Sequence, residues 1–280
     1  DLISNKVSKD DIANKIFYTE NVLKNIFESY SISEIRTPGL EDTDLFKRSV
    51  GDNSDIVNKE LYSFFDKNDK SITLRPEGTA SVIRSIIEKK IDSESHKLWY
   101  LGPMWRYERP QKGRYRQFNQ AGVEILGYPE GLAEIEIVSI ICSIMKKLKI
   151  DDSVLKINHL GDKKSKQEFC IALENFLKPL ATKLDERDLQ RLNNNPLRIL
   201  DSKNPETQKI LNDAPKIKDF LSNESLDILD LIKSTFSDEC NIEIDHNLVR
   251  GLDYYTGFVF EAVSSNLGAQ DAYLGGGRYD

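Results

Sequence analysis

The sequence predicts an α+β fold, an antiparallel β-sheet flanked by helices and carrying a helical insertion. Three observations predict it. Strand-like runs are joined mostly by hairpins and long excursions instead of alternating strictly with helices. Apolar residues recur at helical spacing in two segments, residues 10 to 30 and 132 to 149. Residues 161 to 239 then change character, with charged helical stretches interrupted by Pro179, Pro196, Pro205 and Pro215. A chain of 280 residues with 39% hydrophobic content buries a substantial core and fits about two domains. The division these features suggest is a core of residues 1–160 and 240–280 around an inserted helical subdomain, 161–239.

Taken in order, Ile12, Ile16, Leu23, Ile26, Phe27 and Tyr30 share one face of a first amphipathic helix. Ser33 to Thr37 reads as a short strand closed by Pro38, whose missing amide hydrogen suits a strand end. Residues 41 to 60 are charged and loop-like. Leu61 to Phe65 and Ser71 to Leu74 pair as an antiparallel hairpin across Asp66, Lys67, Asn68 and Asp69. Arg75, Pro76, Glu77 and Gly78 make a turn, and Thr79 is placed to N-cap a helix through Val82, Ile83, Ile86 and Ile87. Glu77, just ahead of that helix, also suits its dipole. Val138, Ile141, Cys142 and Met145 mark a core-facing helix. Beyond the helical region, strand patterns resume at Asn241 to Asp245, Leu248 to Asp253 and Phe258 to Val263, ending in a glycine-rich run, Leu274 to Asp280. That last run lacks the strand and helix spacing of a dinucleotide fingerprint, so a doubly wound nucleotide fold is disfavoured.

The stretch KLWYLGPMWRYERPQKGRYRQFNQAGVEILG, residues 97 to 127, is the most informative. Over residues 97 to 120, Lys97, Arg106, Arg109, Lys112, Arg114 and Arg116 stand against Glu108 alone, in a chain whose net charge is −7. An acidic protein gains no general affinity for polyanions from such an island, so it suits a shaped site for a few phosphates better than a broad nucleic-acid surface. A solvated basic hairpin would show the same charges. Alternation favours the site: Arg116, Phe118, Gln120, Gly122 and Glu124 share one strand parity, and polar groups converging on one face are costly to bury without partners. A bound polar ligand supplies such partners.

Other chemistry is poorly supported. Cys142, Cys170 and Cys240 are odd in number and far apart, which suits free thiols in a reducing cytosol. His96, His159 and His246 are equally scattered, so a protein-held metal is not expected. No apolar run reaches the roughly 18 residues of a membrane span, and Asp1 to Asp11 lacks a signal-peptide core. Residues 161–239 carry 13 basic and 15 acidic side chains, so no RNA-binding stripe is evident there.

Four motifs in order resemble the histidyl-tRNA synthetases, a class II aminoacyl-tRNA synthetase family: EIRTPGLEDTDLF at Glu34–Phe46 (motif 1), ITLRPEGTA at Ile72–Ala80, Leu98–Gly127 (motif 2), and LVRGLDYYTG at Leu248–Gly257, with GGGRYD following. The resemblance implies a class II catalytic core that activates L-histidine with ATP and passes the acyl group to tRNA(His). It further implies that Arg106 contacts the α-phosphate and carboxylate, Arg114 the distal phosphates and Glu108 the adenine or ribose end, with Tyr115 and Gln120 also on the ATP side. Arg250 is the implied catalytic cation, reaching the α-phosphate where other class II enzymes place a metal. Magnesium is expected with the pyrophosphate oxygens.

For the amino acid, the resemblance assigns Glu77 and Thr79 to the ammonium group, Gln120 to the carboxylate neighbourhood, and Glu124 with Tyr255 to the imidazole. Neutral imidazole offers one donor and one acceptor, which a carboxylate and a phenol satisfy together. Tyr254 and Tyr279 would wall the pocket, and Arg250 would also touch the histidine. The implied picture has Arg106, Arg114 and Arg250 meeting over one cavity. The family's motif 3 and anticodon-binding domain would follow Asp280, so the 280-residue chain is expected to bind histidine with little turnover. A cytoplasmic homodimer paired through motif 1 is expected as well. A related, non-catalytic alternative is the synthetase-like regulatory subunit of ATP phosphoribosyltransferase, whose members lose parts of the histidine motifs that stand complete here.

Overall fold

The computed structural model describes residues 12–50, 56–108, 114–252, 254–267 and 272–279. Asp1 to Asp11, Arg109, Lys112, Asp253 and Asp280, named above, lie outside the described residues. The architecture is α+β, with largely antiparallel sheets flanked by helices, as expected. The chain divides into two compact units, one of Asp1–Leu45 with Leu61–Asp151, the other of Phe46–Glu60 with Asp152–Asp280.

The first unit opens with helix α1 (Ile12–Ser29) and the short strand β1 (Ser33–Glu34). Strand β2 (Leu40–Asp42) leads into helix α2 (Thr43–Val50), and a π-helical turn covers Ile56–Glu60, the residues from Phe46 to Glu60 belonging to the second unit. These elements correct the reading of residues 41 to 60 as loop. Glu41, Thr43 and Phe46 are buried there, so a charged composition concealed an element with a buried side. Strands β3 (Tyr62–Phe65) and β4 (Ser71–Leu74) form the expected hairpin, with Phe65 opposite Ser71, and β2 adds to the other edge of β4.

Helix α3 (Thr79–Glu88) follows, then the long hairpin of β5 (His96–Trp105) and β6 (Gln117–Leu126), paired from His96↔Leu126 to Trp105↔Gln117. β1 lies parallel to β5, and helix α4 spans Leu132–Leu148. Ile26, Phe27, Ile32, Trp99, Ile140 and Ile144 form one core cluster, with the Phe27 and Trp99 rings 5.5 Å apart. The predicted face of α1 is buried only toward its C-terminal end, since Ile12 is 56% exposed.

In the second unit, β7 (Ser153–His159) is followed by helices α5 (Lys163–Leu177), α6 (Glu186–Asn194), α7 (Pro205–Asn212) and α8 (Asn223–Phe236). Asp162, Asp185, Asn204 and Ser222 cap these four helices, their side-chain oxygens accepting from first-turn amides. Pro196 opens a 3₁₀ turn, Pro196–Asp201, and Pro205 opens α7, where a missing amide hydrogen costs nothing. Strands β8 (Ile242–Ile244), β9 (Tyr255–Ser264) and β10 (Ala272–Tyr279) complete a sheet in the order β10-β9-β7-β8.

The strand expected at Leu248 to Asp253 is absent over its described residues. Side chains replace a ladder there: Asn158 donates to the Leu248 carbonyl at 2.9 Å, and Arg198 to the Arg250 carbonyl at 3.1 Å. Cys170 is a free thiol, as expected, and burial pushes it above its ordinary range. Cys142 and Cys240 are not free, which corrects the expectation for those two. Among the described residues no helix is long and apolar enough to cross a membrane.

Candidate functional site

Within the first unit the predicted residues gather around the start of α3. Thr79 is the first helical residue and not the cap, which corrects its expected role; the N-cap is Gly78. The Glu77 carboxylate does the capping, accepting from the amides of Thr79 at 2.6 Å and Ala80 at 2.9 Å. This frees the Thr79 hydroxyl to donate to Glu124 on β6 at 2.7 Å. Two buried carboxylates, Glu77 at 3% and Glu124 at 5% exposure, are thereby linked through one threonine. Burial pushes the Glu77 carboxyl above its ordinary range, while the Ala80 and Thr79 amides and the Arg106 charge pull it back down.

Arg106 follows the end of β5. Its amide continues the ladder to the Arg116 carbonyl at 2.9 Å, and its Nε donates to the Pro76 carbonyl at 2.8 Å, tying it to the turn that carries Glu77. Its guanidinium also lies 5.1 Å from the centre of the Phe118 ring. Arg114 pairs with Glu108 at 2.8 Å, so these two predicted ATP-side residues are neighbours. Tyr115 is 69% exposed. On β6, the Gln120 Oε1 is buried with no hydrogen-bond partner among the described residues, an arrangement that fits a polar ligand beside it.

Two residues here had no role at the site in the sequence reading. Tyr100 on β5 stands opposite Gly122 and is 6% exposed. A Cβ at Gly122 or at Gly78 would come within 2.2 Å of its ring, so both glycines exist to admit this tyrosine. The glycine in mid-strand was the available signal. Arg75, in the same RPEGT run, is structural: it donates to the Pro103 carbonyl at 3.1 Å and to the carbonyl and hydroxyl of Thr37, each at 2.9 Å.

The second unit holds Arg250, Tyr254, Tyr255 and Tyr279. Tyr254 lies tilted against Tyr255 at 4.6 Å and meets Tyr279 edge-on at 5.7 Å, so the three predicted tyrosines form one aromatic group. Arg250 is ion-paired through Nη1 to Glu261 of β9, a residue the sequence reading missed. Glu261 stands opposite Gly275 of β10, and a Cβ on Gly275 would fall 2.3 Å from Arg250 Nη2. The guanidinium therefore lies across the bare glycine backbone. Its Nε is buried without a partner among the described residues, a donor that fits an anionic ligand. A small cavity of about 20 Å³ adjoins it, lined in part by Lys166, Asn195, Arg198, Leu252 and Tyr255. Among the described residues no group of His, Cys, Asp and Glu side chains has the arrangement of a metal site.

Comparison with known proteins identifies the family of the chain. The family model for histidyl-tRNA synthetase matches residues 10–280. A histidine–tRNA ligase of Francisella philomiragia subsp. philomiragia is 47% identical over 274 residues, covering 94% of this chain and 63% of its own length. Apo histidyl-tRNA synthetase of S. aureus superposes with a TM-score of 0.74 at 37% identity, covering 99% of this chain and 65% of that one. An ATP phosphoribosyltransferase regulatory subunit/histidyl-tRNA synthetase from Bacillus halodurans has a TM-score of 0.67 at 19% identity, which shows a shared fold alone. The chain spans 63% of the length of the curated relative it matches.

Proposed function

This chain belongs to the histidyl-tRNA synthetase family, and from that premise we propose that the protein activates L-histidine with ATP and transfers the acyl group to tRNA(His). In the first step a histidine carboxylate oxygen attacks the α-phosphorus; the bond to the bridging oxygen breaks and pyrophosphate leaves. The observation that carries this reading is the buried pair Glu77 and Glu124 joined by Thr79. Carboxylates so far from water call for a ligand with polar N–H groups, and histidine presents an ammonium and an imidazole.

In this reading Glu77 and Thr79 receive the ammonium, Glu124 and Tyr255 read the imidazole, and Gln120 attends the carboxylate. Tyr254 and Tyr279 wall the amino acid. Arg106 neutralises charge at the α-phosphate, Arg114 holds the distal phosphates, and Glu108 with Tyr115 meets the nucleoside. Arg250 serves the same reaction as a fixed cation at the α-phosphate. A preorganised guanidinium in a water-poor site stabilises charge that develops only in the transition state. Magnesium would neutralise the departing pyrophosphate oxygens.

We also assign residues 161–239 to an inserted helical subdomain, and the whole protein to a cytoplasmic homodimer paired through motif 1. The regulatory-subunit alternative finds support only in a shared fold. Histidine-dependent exchange of pyrophosphate into ATP by the whole protein tests the reading. Arg250→Ala is expected to lower that rate about a hundredfold or more while histidine still binds by titration. Equal binding of histidine and glutamine, with no exchange in the parent, would sink it.

A further inference from the structure

Arg250 sits in a stretch with few backbone partners. Residues 248 to 252 form no strand, yet the ion pair to Glu261 demands a defined position for the side chain that leaves them. That position is set from the helical segment. Arg198 Nη1 donates to the Arg250 carbonyl at 3.1 Å, and Lys166 Nζ of α5 donates to the Tyr255 carbonyl at 3.2 Å.

Arg198 is itself well anchored. Its neighbours Leu197, Ile199 and Leu200 are buried in the 3₁₀ turn, in the same core cluster as Leu248 and Tyr255, which bracket the Arg250 stretch. A charge-assisted bond from a rigid turn to a carbonyl that no strand pairs restrains the backbone at the residue that carries the guanidinium.

We propose that Arg198 is a positioning residue for Arg250, fixing the catalytic guanidinium by holding its main-chain carbonyl. The proposal rests on the reading of Arg250 given above. In this reading Arg198 acts through Arg250: it keeps Arg250 over Gly275 and against Glu261, so the cation is in place before phosphate charge develops. The helical segment thereby contributes to amino-acid activation, a step that needs no transfer RNA.

The test is histidine-dependent pyrophosphate exchange by the whole protein without transfer RNA. Arg198→Ala is expected to lower kcat about tenfold or more, with KM for histidine changed less than about threefold, because a misplaced catalytic group costs turnover and not binding. Arg198→Lys, which keeps one cationic donor, is expected to recover part of that loss, and Arg198→Met, which keeps the apolar stem, is not. In an Arg250→Ala background Arg198→Ala should add less than about twofold, since a residue acting through another has nothing left to position. Full multiplication of the two effects, or an unchanged kcat in Arg198→Ala beside a deficient Arg250→Ala, would overturn the proposal. Parent-level exchange by Arg250→Ala alone would overturn the catalytic reading first and this inference with it. If Arg198→Ala does not fold, the same comparisons are made with Arg198→Met and Arg198→Lys.

Discussion

The candidate residues of the two units are held by different means. In the first unit, Gln120 and Glu124 ride a ladder of ten paired positions, and Glu77 is locked onto the amides of a helix start. In the second, Arg250 sits outside any strand, and its carbonyl and guanidinium are held by side chains. Backbone ladders place a group by register, whereas side-chain restraints place it by a few bonds that single substitutions remove. Each unit also contains a glycine that admits a large side chain, Gly122 for Tyr100 and Gly275 for Arg250.

The largest contrast should come from those glycines. Gly275→Ala is expected to displace the guanidinium and lower pyrophosphate exchange about tenfold to a hundredfold while histidine still binds. Gly122→Ala is expected instead to push Tyr100 aside, costing about 1–3 kcal/mol of stability and weakening histidine binding. Exchange kinetics, titration and thermal melts on both variants decide it. Identical profiles would erase the division of labour.

A smaller effect is expected inside the first unit. Thr79→Val keeps the shape but removes the donor to Glu124, leaving a buried carboxylate oxygen short of one partner. Histidine affinity should fall about tenfold and stability by about 1–2 kcal/mol. A stability loss with unchanged titration would make this link structural.

The smallest effect concerns pH. Burial raises the folded Glu77 carboxyl above its ordinary 4.5, so the folded state holds this proton more tightly than the unfolded chain does. The corresponding stability is fully present below 4.5 and is lost as pH rises through the raised folded value. Thermal melts should therefore show the parent losing stability relative to Glu77→Gln as pH rises through that window. Parallel curves would mean that the amides and Arg106 fully offset the burial.

Much of this was legible from residue order. The β3–β4 hairpin was marked by its polar turn, the β5–β6 pair by alternation, and α4 by its helical face, because each depends on spacing along a continuous segment. Glu77 was readable as a helix-start anion for the same reason. Residues 41 to 60 were not, because the buried side of a short, charged helix has too few positions to show a period. The stretch at 248 to 252 misled for the opposite reason: its composition suits a strand, but its carbonyls are claimed by Asn158 and Arg198, far away in sequence.

What the residue order determined by itself was the kind of chemistry: the motif set that carries the family, the cations and carboxylates concerned, and the strands and helices bearing most of them. Only the tertiary structure decided how they are held, with Glu77 as the cap in place of Thr79, Tyr100 between two glycines, Glu261 across from Arg250, and Arg198 behind it. The physical reason is range. Periodicity and turn chemistry act between near neighbours, while a side chain that bonds a carbonyl or fills a missing Cβ 52 or 22 positions away leaves no local trace in the sequence.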